Sequence, residues 1–315
     1  MNPSYVQTVN LLLDIAPTVF QTPRFAMKGG TALNLFVQDL PRLSVDIDVV
    51  FIDHQVDRDN ALKEIAQELQ RIEGAITTMG YETRIRKMHG VDEVKLDIFS
   101  AEAEVKVEVN IVFRGKVLPI QKRSLSERTQ ALFSKNIQIP VLAPSELYGS
   151  KLVAAMDRQH PRDFFDVLKM YDSHGLTQEI LDCFVVYLAG HNRPVHEVLF
   201  CNAQPIEETF KNEFVGMTSD PIHLDDLLQT QKRLMTELPQ ALSQNHRNFL
   251  LSLVEAVPDW SLLPFKHLKD MPAIQWKLQH LSNLKSKNPA KFRLQRQALD
   301  QRFGEHHYAS STNRN

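Results

Sequence analysis

Between Arg24 and Ile120 the spacing of apolar positions changes repeatedly. Phe25-Ala26-Met27 is a short apolar run that ends on Lys28-Gly29-Gly30, which reads as a strand entering a tight turn. Leu33, Phe36 and Val37 then recur at helical spacing, with Thr31 in the N-cap position. From 44 to 52 alternate residues are apolar (Val45, Ile47, Val49, Phe51), the pattern of a strand with one buried face. Ile65, Leu69, Ile72 and Ile76 recur at three- and four-residue steps and predict an amphipathic helix over 61–79. Further strands are predicted at 81–86, 93–99 and 105–113. After about Pro144 the spacing is helical, predicting helices at 145–156, 163–171, 177–188, 224–238, 247–257 and 273–284. The expected fold class is α+β: a mixed sheet with flanking helices in residues 1–143, an all-helical C-terminal lobe in 144–285, and a basic helix with a polar, disordered end (Ser310-Ser311-Thr312-Asn313) in 286–315.

Composition narrows the function classes. A chain of 315 residues with 43% hydrophobic and 23% charged positions has enough material for a sizeable core and two domains. A formal net charge of −2 excludes a wholly basic nucleic-acid coat protein, but not an enzyme with a local basic groove. Such clusters exist at Arg84-Arg86-Lys87, Lys122-Arg123-Arg128 and Lys285-Lys287-Lys291-Arg293-Arg296, each in the first instance a solvated face. No apolar stretch approaches the ~20 residues of a membrane span, and the start has neither a basic n-region nor an apolar h-region. Two cysteines, Cys183 and Cys201, are too few for a disulfide framework or thiolate metal site. The expectation is a cytoplasmic protein without a membrane partner. The histidines form no metal motif; His160 in an interhelix loop and His306-His307 in the tail read as surface residues, and Cys183 as core.

The chemistry-bearing residues fall in two segments. In the first, Lys28-Gly29-Gly30-Thr31, two glycines between strand and helix let backbone N–H groups approach a phosphate, helped by the helix start. Asp46 and Asp48 follow, two apart on a strand, so both carboxylates project to one face while Val45, Ile47 and Val49 face the core. Paired carboxylates repel unless a cation lies between them, and Mg²⁺ (Mn²⁺ is the alternative) with a triphosphate satisfies that demand. Two such ions need a third carboxylate. Glu108, on a strand with Lys106 and Asn110, is favoured, with Asp97 as runner-up.

The second segment runs from Lys151 to Asp166. Lys151 reads as lying opposite the apolar face of its helix, and Pro161 as opening the next helix with Arg162 and Asp163 in its first turn. Asp163 and Asp166 share a helical face. Lys151, Arg158 and Arg162 together offset triphosphate charge; equally, the arginines and aspartates suit a structural ion-pair network, with Asp163 stabilising the helix start.

Taken together, Lys28-Gly29-Gly30-Thr31-Ala32-Leu33, Arg42-x-Ser44-x-Asp46-Ile47-Asp48, Glu108 in Val-Lys-Val-Glu-Val, Lys151-x-x-Ala154, and Arg158 with Arg162-Asp163-x-x-Asp166 resemble the motifs of AbiEii/AbiGii-type nucleotidyltransferase toxins, which include the MenT enzymes. Pro258-Asp259-Trp260, Pro272-Ala273 and Trp276-Lys277-Leu278 resemble the family's end, so the likeness spans most of residues 24–285. It implies a polymerase-β-like nucleotidyltransferase domain followed by a helical lobe that contributes to the active site. It also implies Mg²⁺-dependent transfer of NMP from an NTP to an acceptor. For several members this is the tRNA 3′ end, arresting growth, with a cognate antitoxin from the neighbouring gene. Asp46, Asp48 and Glu108 are then metal ligands, and Asp46, Asp48, Lys151 and Asp163 catalytic. Lys28, Gly29, Gly30, Thr31, Ser44, Arg158, Arg162 and Asp166 bind the nucleotide, with Thr31 as a hydroxyl donor and Asp166 orienting Arg158 or Arg162. Gln38-Asp39-Leu40-Pro41 departs from the pattern by lengthening the loop before Asp46. Competing readings are transfer to a protein or small molecule, and a non-catalytic nucleotide- or partner-binding protein.

Overall fold

The computed structural model describes residues 2–87 and 93–312, with side chains for all but residues 87, 93 and 306–312. The predicted cluster at Arg84-Arg86-Lys87 is therefore described only for its arginines, and the side chains of His306-His307, together with Asn313, lie outside the described residues. The chain forms two compact units, Met1–Leu147 with Phe214–Ile222, and Tyr148–Glu213 with His223–Asn315.

Among the described residues, the first unit is built on seven strands: β1 (Phe25–Lys28), β2 (Asp46–Phe51), β3 (Glu82–Lys87), β4 (Glu93–Phe99), β5 (Glu104–Asn110), β6 (Gln121–Ser124) and β7 (Gln138–Val141). They form a mixed sheet in the order β3-β4-β5-β2-β1-β7-β6, with β2–β5 and β1–β7 parallel and the other pairs antiparallel. Alternation sets the two faces. Ile47, Val49, Leu96, Ile98, Val105, Val107 and Val109 are buried, and α1 (Pro3–Val19) and α3 (Arg58–Thr78) pack on the sheet. The alternate positions are charged. In register, Lys28, Asp48, Glu108, Lys95 and Arg86 stand in one row across the strands, and Asp46, Lys106, Asp97 and Arg84 in the next.

Several elements escape the periodicity. Helix α1 carries a nearly continuous apolar run with Pro17 inside it. The four-residue strands β6 and β7 and the short α4 (Glu127–Phe133) are too brief for a period; β7 forms because Val141 pairs with Met27 of β1. The helix after the glycines begins at Gly29 as α2 (Gly29–Ala32), with Lys28 as its N-cap, correcting the assignment of the N-cap to Thr31. It continues as a π-helical turn, Leu33–Val37, in which Leu33, Asn34, Leu35 and Phe36 are all buried.

The second unit is helical. Helix α5 (Pro144–Asp157) spans the boundary between the units. It is followed by α6 (Pro161–Ser173), α7 (Gln178–Ala189), α8 (Val195–Leu199), α9 (Glu207–Glu213), α10 (Leu224–Ala241), α11 (Gln244–Val254), α12 (Pro272–Lys287) and α13 (Pro289–Thr312). Helix α7 is buried almost all round, including Cys183, as expected of a central helix. The C-terminal basic segment is a helix that runs on through 310–312, where disorder was expected. Among the described residues, no helix is long and apolar enough to cross a membrane.

In the first unit, Glu146 is fully buried at the start of α5 and accepts from the backbone N–H groups of Val117 and Leu118, at 2.9 and 3.0 Å. Glu146→Ala leaves both donors without that acceptor in a dry site. It should lower stability by about 3 kcal/mol, read as a shifted denaturant midpoint at unchanged slope.

Candidate active site

Asp46 and Asp48 are half-buried on the polar face of β2, flanked by the buried Ile47 and Val49. Strand alternation alone puts their carboxylates on one side. The parallel register with β5 sets Glu108 directly beside Asp48, whereas Asp97 lies one strand further out, opposite Lys106. Asp97 is fully buried and ion-paired to Arg86, while Oε1 of Glu108 accepts from Nζ of Lys95 at 2.7 Å. Among the described residues, no three His, Cys, Asp or Glu side chains converge as a metal-binding group. What the site offers a hard divalent cation is the Asp46–Asp48 pair, an all-oxygen donor set of the kind Mg²⁺ takes when phosphates and water complete its shell.

The glycine turn is built around those carboxylates. Gly29 has φ +76°, and a Cβ there would fall on the Asp48 carboxylate, 2.9 Å from Cγ. Only glycine satisfies both the left-handed backbone and the close approach. A Cβ on Gly30 would lie 2.8 Å from Nη2 of Arg42 and 3.1 Å from Oγ of Ser44. Thr31 is fully buried; its hydroxyl donates to the Asp46 carbonyl and also hydrogen-bonds Oγ of Ser44, at 3.0 Å. That hydroxyl thus ties the turn to β2 instead of facing outward, which removes it as the phosphate donor assigned from the sequence.

Arg42, absent from the predicted site set, is 2% exposed and donates from Nη1 to the Leu43 carbonyl at 3.0 Å. The segment that carries it is held by the returning stretch Phe214–Ile222. Arg42 bridges Thr218, Leu43 N–H donates to Met217 O at 2.8 Å, and Oγ of Ser219 donates to Leu40 O at 2.6 Å. The expected insertion at Gln38–Pro41 is thus pinned, with Leu40 buried at φ +54°. The only sequence signal for Arg42 was its place two residues before Ser44; nothing local distinguishes it from a surface arginine.

The second unit holds the other predicted set. Nζ of Lys151 lies 3.0 Å from Oδ1 of Asp163 and 2.9 Å from Oδ2 of Asp166, and the three side chains are 7%, 0% and 0% exposed. Lys151 is therefore on the buried side of α5, a correction to its expected outward placement; two carboxylates that need a cation draw it inward. Arg158 donates to Asp163 from Nε at 2.6 Å and from Nη2 at 2.9 Å. Burial acts to raise the Asp163 pKa, but Lys151 and Arg158 outweigh it and hold the carboxyl well below the ordinary carboxylate range. Asp166 thus faces Lys151, while Arg162 extends towards Glu213, 4.0 Å away. His160 is the N-cap of α6, not a surface loop residue: its Nδ1 accepts from Arg162 N–H at 3.1 Å, and burial lowers its pKa.

Two substitutions test these placements. Gly29→Ala should cost about 2 kcal/mol or more and displace Asp48, so both the melting temperature and catalytic activity should fall. Lys151→Met strands two buried carboxylates and should cost about 3–5 kcal/mol. Because Asp163 is depressed when folded, its contribution is present above about pH 4 and lost only as pH falls through the folded value. Wild-type stability should accordingly be flat from pH 5 to 8 in urea titrations, whereas the destabilisation by Lys151→Met should be largest at pH 8 and shrink towards pH 5, as buried carboxyls without their cation take up protons.

Residues 10–280 match the family described as Nucleotidyl transferase AbiEii toxin, Type IV TA system. No curated protein matches the sequence. Among solved structures, the chain is similar to MenT4, a nucleotidyltransferase toxin from Mycobacterium tuberculosis H37Rv, with a TM-score of 0.59 and 17% identity over 89% of this chain and 95% of that one. At that identity the likeness establishes a shared fold, while the family match takes in the glycine turn, the Asp46–Asp48 strand and the buried Lys151–Asp163–Asp166 cluster. The chain belongs to the AbiEii family of nucleotidyltransferase toxins of type IV toxin–antitoxin systems.

Proposed function

We propose that this nucleotidyltransferase moves a nucleoside monophosphate from an NTP to the 3′ hydroxyl of an RNA, with tRNA as the acceptor, and that the modification arrests growth until a cognate antitoxin from the neighbouring gene counters it. The observation that supports the reading is the close fit of the Asp48 carboxylate against Gly29, by which the carboxylate pair and the glycine turn meet at one point.

Asp46 and Asp48 would hold Mg²⁺, with Glu108, which accepts from Lys95, as the third ligand; Mn²⁺ is an alternative metal. When bound, the metal supplies positive charge to the triphosphate and lowers the pKa of the attacking hydroxyl. The backbone N–H groups at Gly29 and Gly30 bind the β/γ-phosphates, with Lys28 and Ser44 at the rim of the turn. Arg42 supports the turn from beneath. The 3′ oxygen attacks the α-phosphorus, the bond to the β-phosphate oxygen breaks, and pyrophosphate leaves, while the hydroxyl proton passes to solvent. Within the second unit Asp163 holds Lys151 and Arg158 in place and Asp166 orients Lys151; the family resemblance assigns Lys151, Arg158 and Arg162 to phosphate charge.

Incubating the protein with total tRNA and each α-labelled NTP in turn tests the reading. Label should enter RNA from one NTP, be abolished by a chelator, and fall at least about a thousandfold in Asp46→Asn and Asp48→Asn proteins whose melting is unchanged. Retained activity in Asp48→Asn overturns the metal assignment. Label in protein or a small molecule instead of RNA overturns the acceptor.

A further inference from the structure

From Met271 to Leu299 the chain contains Lys277, Lys285, Lys287, Lys291, Arg293 and Arg296 and no Asp or Glu, in a protein whose net charge is −2. The structure sorts these cations. Lys277 is buried, donating to the carbonyls of His191 and Arg193 at 2.8 and 2.6 Å, and Arg296 is paired with Glu255 and Asp300. Lys285, Lys287, Lys291 and Arg293 are exposed and form no ion pair among the described residues. They meet where α12 ends and α13 begins. The helix dipole rationalises Lys285 and Lys287 in the last turn of α12, but it opposes Lys291 and Arg293 near the positive end of α13, where no acidic residue compensates. Fold stability gives no reason for that placement.

On the same helix, Trp276 is 44% exposed, and its ring lies against His280 at 4.7 Å between centroids. Trp276, His280, Asn283 and Lys287 follow at steps of four, three and four, so they form one exposed stripe about 16 Å long. Exposed rings packed against each other at a tilt of 50°, leading into cations without ion pairs, offer what a single-stranded nucleic acid requires: π-faces for the bases and positive charge for the phosphates.

We propose that this face of α12 and the start of α13 docks the single-stranded end of an RNA, with bases stacking on Trp276 and His280 and phosphates on Lys287, Lys291 and Arg293. The inference deepens the RNA-acceptor reading, and binding measured without NTP separates the two. In a Trp260→Phe protein, Trp276 is the sole tryptophan. A single-stranded oligoribonucleotide and tRNA should each quench its fluorescence. Against this background, Trp276→Ala, followed by fluorescence anisotropy of labelled RNA, should weaken binding about tenfold. The triple change Lys287→Glu, Lys291→Glu, Arg293→Glu should lower the slope of log affinity against log salt by about 2. Absence of quenching at low salt, or unchanged affinity and slope in these variants, overturns the proposal even if label enters RNA. Quenching by an acidic protein partner but not by RNA also overturns it. Binding at this face without labelling of RNA leaves the surface standing and removes RNA as the acceptor.

Discussion

A carboxylate and a main chain share one small space where β2 runs past the Gly29–Gly30 turn. Asp48 lies against the Cα of Gly29, and the left-handed backbone there suits a residue with no side chain. Much of the first unit serves that contact. Thr31 spends its hydroxyl tying the turn to β2, Arg42 fills the space under Gly30, and the returning Phe214–Ile222 stretch fixes the segment that carries Arg42. The parallel pairing of β2 with β5 then decides which carboxylate neighbours Asp48.

The second unit solves a different electrostatic problem. Two fully buried aspartates face one nearly buried lysine, and Arg158 covers Asp163 from the exposed side. Desolvation works against all of these charges, and their mutual attraction at about 3 Å offsets it only because each has a geometric partner. Such a cluster holds α5 and α6 in one arrangement. It also fixes the position of Lys151.

Near-neutrality conceals how charge is partitioned. On the polar face of the sheet both signs are present in each row, with Asp48 and Glu108 side by side between Lys28 and Lys95, so the field there is local and short-ranged. Along α12 and the start of α13 the acids are absent, and the potential has one sign. The first arrangement suits ion binding at a defined point; the second suits a polyanion that needs no single register.

The long elements could be read directly, because apolar periods persist in α3, β2, β4, β5, α6 and α10 for long enough to be recognised. The glycine turn and the Asp46–Asp48 pair were also legible, since a Gly-Gly step and a two-residue carboxylate spacing are local facts whose geometry is fixed by the backbone. Short strands β6 and β7, the helix start at Gly29, and the inward placement of Lys151 were not, because each is set by a partner distant along the chain: Met27 for Val141, Asp48 for Gly29, Asp163 and Asp166 for Lys151. Sequence by itself determined the chemistry available, namely which groups are charged and which face of each element they occupy. Tertiary structure decided which charges meet, because burial and pairing depend on strand register and helix packing that no local pattern encodes.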